Sequence, residues 1–216
     1  MDIVDTHLHI IDHRRLSYPW VGNYRQLSGN YLYETYSAQA LSLGIARTLL
    51  MEVDVPLEQI EDEAQMAEDL RRELGPPMVG AVISCRPEDP EFPAFLDRQL
   101  RRPHIRGLRR VLHVAPDDIS RGYLLRKRRL AATGLPFDVC VFARQWGLAA
   151  ELAAACPNTR FVLDHCGQPE IALGTWEPWR AAIVDLARRP NLAVKISGLP
   201  AYAGSLDWNA AHIYRL

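Results

Sequence analysis

Short apolar runs recur along the chain about every 30 residues, and longer stretches with a polar and an apolar side separate them. The runs are apolar almost throughout, which is typical of strands that are covered on both faces. The predicted strands are residues 3–10, 46–54, 78–85, 105–113, 136–142, 159–166 and 192–199.

The stretches between these strands carry apolar residues at three- and four-residue spacing, the pattern of a helix with one buried face. The clearest example is residues 56–74, where Pro56 suits the first turn and Gly75 the exit. A last helix begins near Asp207, which we interpret as its N-cap. The other predicted helices are residues 34–43, 91–101, 123–132, 145–155 and 176–188.

Alternating strands and helices indicate βαβ units around a parallel sheet, in a single domain that covers residues 1–216. A doubly wound open sheet would carry a glycine-rich phosphate loop after an early strand, and none is present. A closed (β/α)8 barrel needs about 250 residues, whereas seven strand–helix units are visible. The predicted fold is therefore α/β, a TIM-type (β/α)8 barrel truncated after about seven units.

Composition excludes several classes of function. The net charge is −1, which gives no electrostatic reason to bind nucleic acid or an anionic membrane. The basic run at residues 126–129 is interpreted as a solvated helix face. No apolar run approaches the ~20 residues of a membrane span, and no secretory signal is visible. The four cysteines are scattered, and three of them lie in or near apolar runs, which predicts buried free thiols there and a cytoplasmic setting.

Two histidines stand near the end of the first predicted strand. Side chains i and i+2 of a strand point to the same face, so His7 and His9 face one space. Two imidazoles aimed at one space can chelate one divalent metal ion. Asp5 shares that face, where a carboxylate could orient a ligating imidazole. The alternative is a pair of histidines that hydrogen-bond to their neighbours, because His-x-His is a short pattern.

Charged residues also lie near the ends of the second and fourth strands. Glu52 follows an apolar run where an unpaired charge is costly, which predicts either a metal or substrate contact or a salt bridge to a helix. Strand alternation sends one of Arg109 and Arg110 inward and the other outward, and His113 shares the parity of Arg109. An inward arginine suits a substrate carboxylate, and the alternative is a structural ion pair.

Two later strands carry further candidates. Only one of Asp164 and His165 can face inward while their strand stays regular, and an inward His165 would complete a set of three metal ligands. Lys195 lies inside an apolar strand. It is therefore either a cation that binds substrate or one half of a buried ion pair.

Five motifs follow one another in order: Asp-Thr-His-Leu-His-Ile, Gly-Leu-Arg-Arg-Val-Leu-His, Phe-Asp-Val-Cys-Val-Phe, Val-Leu-Asp-His-Cys-Gly-Gln-Pro and Val-Lys-Ile-Ser-Gly-Leu. Together they resemble the amidohydrolase superfamily, in the branch of lactonase-like and decarboxylase-like proteins. Within that branch the chain is most similar to the fuconolactonase-type sugar lactonases, from Met1 to about Asp207. The resemblance implies a barrel that hydrolyses a cyclic ester at the carboxyl ends of its strands.

The resemblance also implies roles for individual residues. His7 and His9 match the metal-binding pair of the first strand, and His165 matches the later histidine, a metal ligand and catalytic residue. Glu52 is a weaker match for a catalytic residue. The implied cofactor is a divalent metal, zinc or manganese, although some members of this branch work without one. The candidate substrate-binding residues, from their own chemistry, are Arg109, Arg110, His113 and Lys195.

One departure from the family pattern bears on activity. The family normally supplies a catalytic aspartate from an eighth strand, in a Gly-Ser-Asp-Trp-Pro-like motif. The similar segment at residues 204–208 has an extra residue and follows no apolar strand. The expectation is a barrel without its last unit, with weak or no activity and with exposed strand edges through which it could self-associate.

The predicted function is water attack on a lactone of a sugar acid or a similar small carboxylate. A barrel phosphoesterase or nuclease also begins with His-x-His, but it would need more carboxylates at strand ends and a basic face. A barrel decarboxylase is a further alternative within the same branch. The alternative from another class is a non-catalytic barrel remnant that binds a small acid or a partner chain.

Overall fold

The computed structural model describes residues 3–75, 77–113, 133–174 and 176–204. The chain divides into two compact units, Met1–Arg109 and Arg110–Leu216, called unit 1 and unit 2 below. The predicted helix at residues 123–132, its basic run and Asp207 lie outside the described residues. Within the described ranges, no helix is both long enough and apolar enough to cross a membrane.

Unit 1 is built on parallel strands that pair in chain order. They are β1 (Ile3–Leu8), β2 (Ile45–Met51), β3 (Met78–Ser84) and β4 (Ile105–Val111), whose last two residues belong to unit 2. In this register Leu50 lies opposite Ala81, and Ser84 lies opposite Arg109. Parallel neighbours require a crossover connection, which helices supply.

The described helices of unit 1 are α1 (Tyr33–Ser42), α2 (Ile60–Leu74) and α3 (Phe92–Gln99). Helix α2 packs against β3. It starts later than predicted because Leu57–Gln59 form a 3-10 turn, and Leu57 is half exposed. Ile60, Ala64 and Ala67 of the predicted apolar stripe are buried, whereas Leu70 and Leu74 are only partly buried. Full burial of a large apolar side chain contributes about 1.5–3 kcal/mol. The buried apolar residues of α2 are Ile60, Ala64, Met66 and Ala67.

Unit 2 repeats the same arrangement with shorter strands, again parallel and in chain order. Its described elements are β5 (Phe137–Cys140), α4 (Trp146–Ala155), β6 (Phe161–Leu163), α5 (Trp176–Leu186) and β7 (Leu192–Val194). Phe137 lies opposite Phe161, and their rings meet edge to face with centroids 6.1 Å apart. Helices α4 and α5 pack against each other.

The main difference from the sequence prediction lies at the carboxyl ends of the strands. The strand predicted at 159–166 ends at Leu163, and the strand predicted at 192–199 ends at Val194. Residues with other backbone conformations follow, and they include His165 and Lys195. All four cysteines are buried free thiols, which confirms the prediction made for three of them and extends it to the fourth.

Candidate active site

In unit 1, β1 brings two histidines to its carboxyl end. His7 lies within the strand, and His9 follows one residue beyond it. The ring centroids are 4.8 Å apart and the ring planes are nearly perpendicular, at 85°. Because a bond from zinc to an imidazole nitrogen is about 2.0–2.1 Å long, rings this close can both reach one ion.

Neighbouring strands and helices hold this histidine pair. Nδ1 of His9 lies 3.3 Å from the carbonyl oxygen of Met51 at the end of β2, and only a protonated Nδ1 can donate to it. The predicted contact between Asp5 and an imidazole is replaced by others. Its carboxylate accepts hydrogen bonds from the backbone N–H of His7 (3.0 Å) and from the Tyr36 hydroxyl (2.8 Å). Burial and the nearby Asp5 raise the pKa of Tyr36, which keeps it a donor.

Glu52 and Arg109 form a buried ion pair inside unit 1. Nη1 of Arg109 donates to Oε1 of Glu52 at 2.8 Å, and the two side chains are 6% and 0% exposed. The other carboxylate oxygen of Glu52 accepts a hydrogen bond from the backbone N–H of Asp54 at 2.7 Å. A salt bridge was one of the alternatives predicted for each residue. The structure shows one between them, and the partner of Glu52 lies on strand β4 rather than on a helix.

A second buried carboxyl group lies close to this pair. Glu63 of α2 accepts a hydrogen bond from the backbone N–H of Val53 at 2.7 Å. Burial, with a smaller contribution from the charge of Glu52, raises the pKa of Glu63 to about 8. Glu63 is therefore mostly protonated at neutral pH, which avoids a second buried negative charge beside Glu52.

Both members of the arginine pair of β4 are buried, and the alternation expected for them stays a prediction. Arg109 and Arg110 are only 5% and 8% exposed, and the other three of the last five residues of β4 are buried as well. A strand that is covered on both faces buries the side chains of both faces, so burial alone does not distinguish an inward arginine from an outward one. Nη1 of Arg110 donates to the carbonyl oxygen of Val111 at 3.2 Å.

In unit 2, His165 follows β6 in a left-handed turn. His165, Cys166, Gly167 and Gln168 have φ angles of 52°, 55°, 71° and 52°. The expectation that only one of Asp164 and His165 faces inward assumed a regular strand, which the turn replaces. Asp164 is fully buried and His165 is half-buried, with its Nδ1 3.0 Å from the hydroxyl of Ser197.

Two indole groups hold this turn. Nε1 of Trp146 donates to the carbonyl oxygen of Gly167 at 2.7 Å, and Nε1 of Trp179 donates to that of Cys166 at 2.8 Å. The backbone N–H of Cys166 donates to the carbonyl oxygen of Lys195 at 2.9 Å. A left-handed conformation costs about 1–2 kcal/mol for each residue other than glycine, so such a turn persists only where the surroundings fix it. Sequence reasoning missed the two tryptophans because their helical spacing also suits plain core packing.

Lys195 is held between two buried carboxylates of unit 2. Its ammonium group pairs with Asp138 of β5, and lies 3.0 Å from Oδ1 of Asp164. The side chains of Asp138 and Asp164 are 4% and 0% exposed. Of the two interpretations open for Lys195, the structure shows the buried ion pair. Asp138 was missed although a carboxylate inside the apolar run Phe-Asp-Val-Cys was a readable signal.

His113 lies beside a thiol and a carboxamide in unit 2. Its Nδ1 is 3.4 Å from Sγ of Cys140 and 3.4 Å from Nε2 of Gln168. The carboxamide Nε2 of Gln168 also donates to Sγ of Cys140 at 3.1 Å. The ring also packs on Phe142, with centroids 4.4 Å apart. Gln168 was not predicted as a site residue, although it stands in the quoted motif that contains His165.

A model of the amidohydrolase family matches residues 4–216. The chain belongs to the amidohydrolase family. This confirms the membership that the five ordered motifs predicted, and with it a hydrolase.

Similar proteins narrow the place of this amidohydrolase within the family. An L-fucono-1,5-lactonase of Burkholderia multivorans is 31% identical over 228 residues, covering 95% of this chain and 70% of the relative. A zinc-bound amidohydrolase structure from the same species matches with a TM-score of 0.83 and 23% identity, covering 100% of this chain and 76% of that one. A probable 2-pyrone-4,6-dicarboxylic acid hydrolase of Acinetobacter baumannii, solved with citric acid, matches with a TM-score of 0.65 and 13% identity, covering 99% and 75%. These structures confirm the predicted type of barrel fold.

Proposed function

We propose that this amidohydrolase opens a lactone, the cyclic ester of a sugar acid or a similar carboxylate, by attack of water. The observation that carries the proposal is the perpendicular pair of His7 and His9 at the end of β1, 4.8 Å apart. The lactonase that is 31% identical over most of the chain supports an ester as the substrate.

The histidine pair fits a divalent metal, zinc or manganese. Since Nδ1 of His9 faces the carbonyl oxygen of Met51, Nε2 is the nitrogen with the lone pair that a ligand needs. A zinc ion is bound in a structure of the same fold. When bound, such an ion would polarise the ester carbonyl and lower the pKa of a water molecule. His165 as a third ligand stays a prediction and is the alternative to the proton-transfer role given to it below, since one Nε2 cannot bind the ion and carry a proton.

We assign the proton transfer to His165. Its Nδ1 lies 3.0 Å from the Ser197 hydroxyl, which fixes the ring so that Nε2 can take or give a proton. Catalysis by Glu52 and substrate binding by Arg110 and His113 stay predictions. Substrate binding by Arg109 and Lys195 also stays a prediction, because their described contacts are with buried carboxylates.

Metal analysis with a lactone assay tests the proposal. We expect the purified chain to bind one equivalent of zinc or manganese, and His7→Ala and His9→Ala to lose it, because each removes one ligand. The control is His13→Ala, which removes an exposed histidine whose ring packs on Tyr18. The assay uses L-fucono-1,5-lactone and other sugar lactones, with a phosphate ester for the phosphoesterase alternative.

Each outcome separates the candidate functions. Metal binding that depends on His7, together with lactone hydrolysis, supports the proposal. Hydrolysis of the phosphate ester alone would overturn it in favour of the phosphoesterase. A protein that binds no metal and opens no lactone would be the non-catalytic barrel remnant.

A further inference from the structure

An open groove lies on unit 2, beside the turn that carries His165. Its lining comes from segments that follow the carboxyl ends of β5, β6 and β7. The wall is largely apolar and aromatic, formed by Phe142, Pro169, Ala172, Leu173 and Tyr202. Gln168 lines the groove as well.

Gln168 is polar and almost completely buried, at 2% exposure, although it lines the groove. Its Nε2 donates to Sγ of Cys140, but its Oε1 has no hydrogen-bond partner among the described residues. A buried carbonyl oxygen without a donor costs about 1–3 kcal/mol. Because Gln168 also lines the groove, a rotation of its side chain would present this enclosed oxygen to a donor from a bound molecule.

The backbone of Gln168 links the groove to the candidate catalytic residue. Gln168 is the last residue of the left-handed turn, with φ 52° and ψ 67°, and its N–H donates to the carbonyl oxygen of His165 at 2.9 Å. Backbone strain of this kind concentrates at functional sites. A molecule that contacts Gln168 would thus contact the same left-handed turn that carries His165.

The charged groups at the groove favour a neutral ligand. Arg144 donates to the carbonyl oxygen of His113 at 3.3 Å, and its guanidinium group lies 5.8 Å from the centre of the Phe142 ring. Glu170 brings a negative charge to the same lining. A carboxylate on the ligand offers only acceptors, whereas Oε1 of Gln168 requires a donor.

We propose that this groove is a substrate subsite for a neutral, hydroxylated lactone, and that Gln168 determines specificity by accepting a hydrogen bond from a ring hydroxyl. The apolar wall takes the C–H face of the sugar-derived ring. This inference rests on the proposed lactone hydrolysis. It distinguishes two types of lactone substrate, because hydroxylated rings fit the subsite and carboxylated rings do not.

The test compares Gln168→Met with the wild-type chain on two esters. The hydroxylated ester is L-fucono-1,5-lactone, and δ-valerolactone is the same ring without hydroxyls. We expect Gln168→Met to lower kcat/KM about ten-fold for the hydroxylated lactone, mainly through KM, and less than two-fold for δ-valerolactone. Equal losses for both esters, or no loss for either, would overturn the assignment.

Gln145→Met is the matched control, since it also removes a buried carboxamide from unit 2. Gln145 accepts a hydrogen bond from Phe142 N–H at 3.2 Å and donates to the carbonyl oxygen of Leu112 at 3.0 Å. We expect this variant to lower the Tm without changing the preference between the two esters. Gln168→Met should keep the Tm within a degree or two or raise it, because it removes an acceptor that the fold leaves unsatisfied and, besides that, only the weak hydrogen bond to the sulfur of Cys140. A drop in Tm equal to that of the control would indicate a structural role.

A binding measurement keeps this inference separate from the proposed function. Neutral 1,5-anhydrohexitols have the hydroxylated ring but no ester, so calorimetric titration with a set of them does not depend on hydrolysis. We expect millimolar binding by the wild-type chain that weakens about ten-fold in Gln168→Met. If the chain opens no lactone but binds these rings through Gln168, the proposed function fails and the subsite stands. If none of them binds, the subsite is wrong even where hydrolysis is observed.

Discussion

The ends of β1 and β6 both present candidate site histidines, but with opposite backbone conformations. At the end of β1 the chain is extended, and plain alternation sets His7 and His9 side by side. At the end of β6 the chain turns left-handed over four residues to place His165. The first arrangement follows from any regular strand, whereas the second exists only with specific partners.

The two units also bury different sets of charges near these ends. In unit 1 the carboxylate of Glu52 pairs with one cation, Arg109, and Asp54 pairs separately with Arg86. Unit 2 holds Lys195 against two carboxylates, Asp138 and Asp164. Loss of the cation should therefore harm unit 2 more than unit 1, because it leaves two buried negative groups without the cation that both of them contact.

The largest predicted effect comes from removing these cations. Arg109→Met should lower the free energy of unfolding by about 3–5 kcal/mol, the cost of leaving one buried charge uncompensated. Lys195→Met should lower it by more, since both Asp138 and Asp164 contact Lys195. Urea unfolding of the two variants measures the difference.

Neutralising the carboxylates provides the control for this comparison. Adding Glu52→Gln should restore most of the stability of Arg109→Met, whereas Lys195→Met should need both Asp138→Asn and Asp164→Asn. Recovery of Lys195→Met by one of these substitutions alone would show that the cluster behaves as a simple pair.

The next effect in size concerns the space around His165. A Cβ atom at Gly198 would lie 2.8 Å from Cγ and Nδ1 of the His165 ring, so Gly198→Ala must displace the imidazole. Displacement of a catalytic group by about 1 Å can cost roughly 100-fold in rate. We expect that loss in kcat for lactone hydrolysis.

Gly174→Ala separates this crowding from backbone strain. Gly174 and Gly198 have similar left-handed φ angles, 66° and 72°, but a Cβ at Gly174 meets nothing within 4 Å. Both variants should lose about 1 kcal/mol of stability from the backbone, and only Gly198→Ala should lose activity. Equal activity in the two variants would contradict the role assigned to His165.

The regular parts of the molecule were readable from the sequence. Apolar runs gave the strands of both units, and the three-four stripe from Ile60 to Ala67 gave α2, since period and burial are locally encoded. The family was readable as well, because its motifs keep their order along the chain. The histidine pair of β1 was found because it needs nothing beyond strand alternation.

The turn after β6 was not readable, because the energy that fixes it comes from residues distant in sequence. His165, Cys166 and Gln168 are not glycines, and no local preference predicts a left-handed backbone for three such residues. The indoles of Trp146 and Trp179 stabilise the turn by donating to its carbonyl groups. Neither tryptophan can be assigned that task without coordinates.

The last predicted effect is gradual, a pH dependence of stability in unit 1 that is smaller per pH unit than the losses predicted for Arg109→Met and Gly198→Ala. The pKa of Glu63 rises from 4.5 to about 8, chiefly through burial, so the folded chain binds more protons than the unfolded chain between these values. The contribution of Glu63 to the free energy of unfolding should therefore be greatest below pH 4.5 and should fall as the pH rises toward 8. The fall should be at most about 1.4 kcal/mol per pH unit. Glu63→Gln removes the ionisable group and should abolish this fall.

The measurement is the free energy of unfolding of wild type and Glu63→Gln from pH 5 to pH 8. The advantage of the variant should grow with pH, since Gln keeps an oxygen for the N–H of Val53 and never acquires a charge beside Glu52. Glu73→Gln, at an exposed position on the same helix, should give a curve parallel to that of the wild type. Parallel curves for Glu63→Gln and the wild type would mean that Glu63 is already ionised in the folded chain. Unit 1 would then tolerate two adjacent buried carboxylates, as unit 2 does around Lys195, and the contrast drawn between the units would disappear.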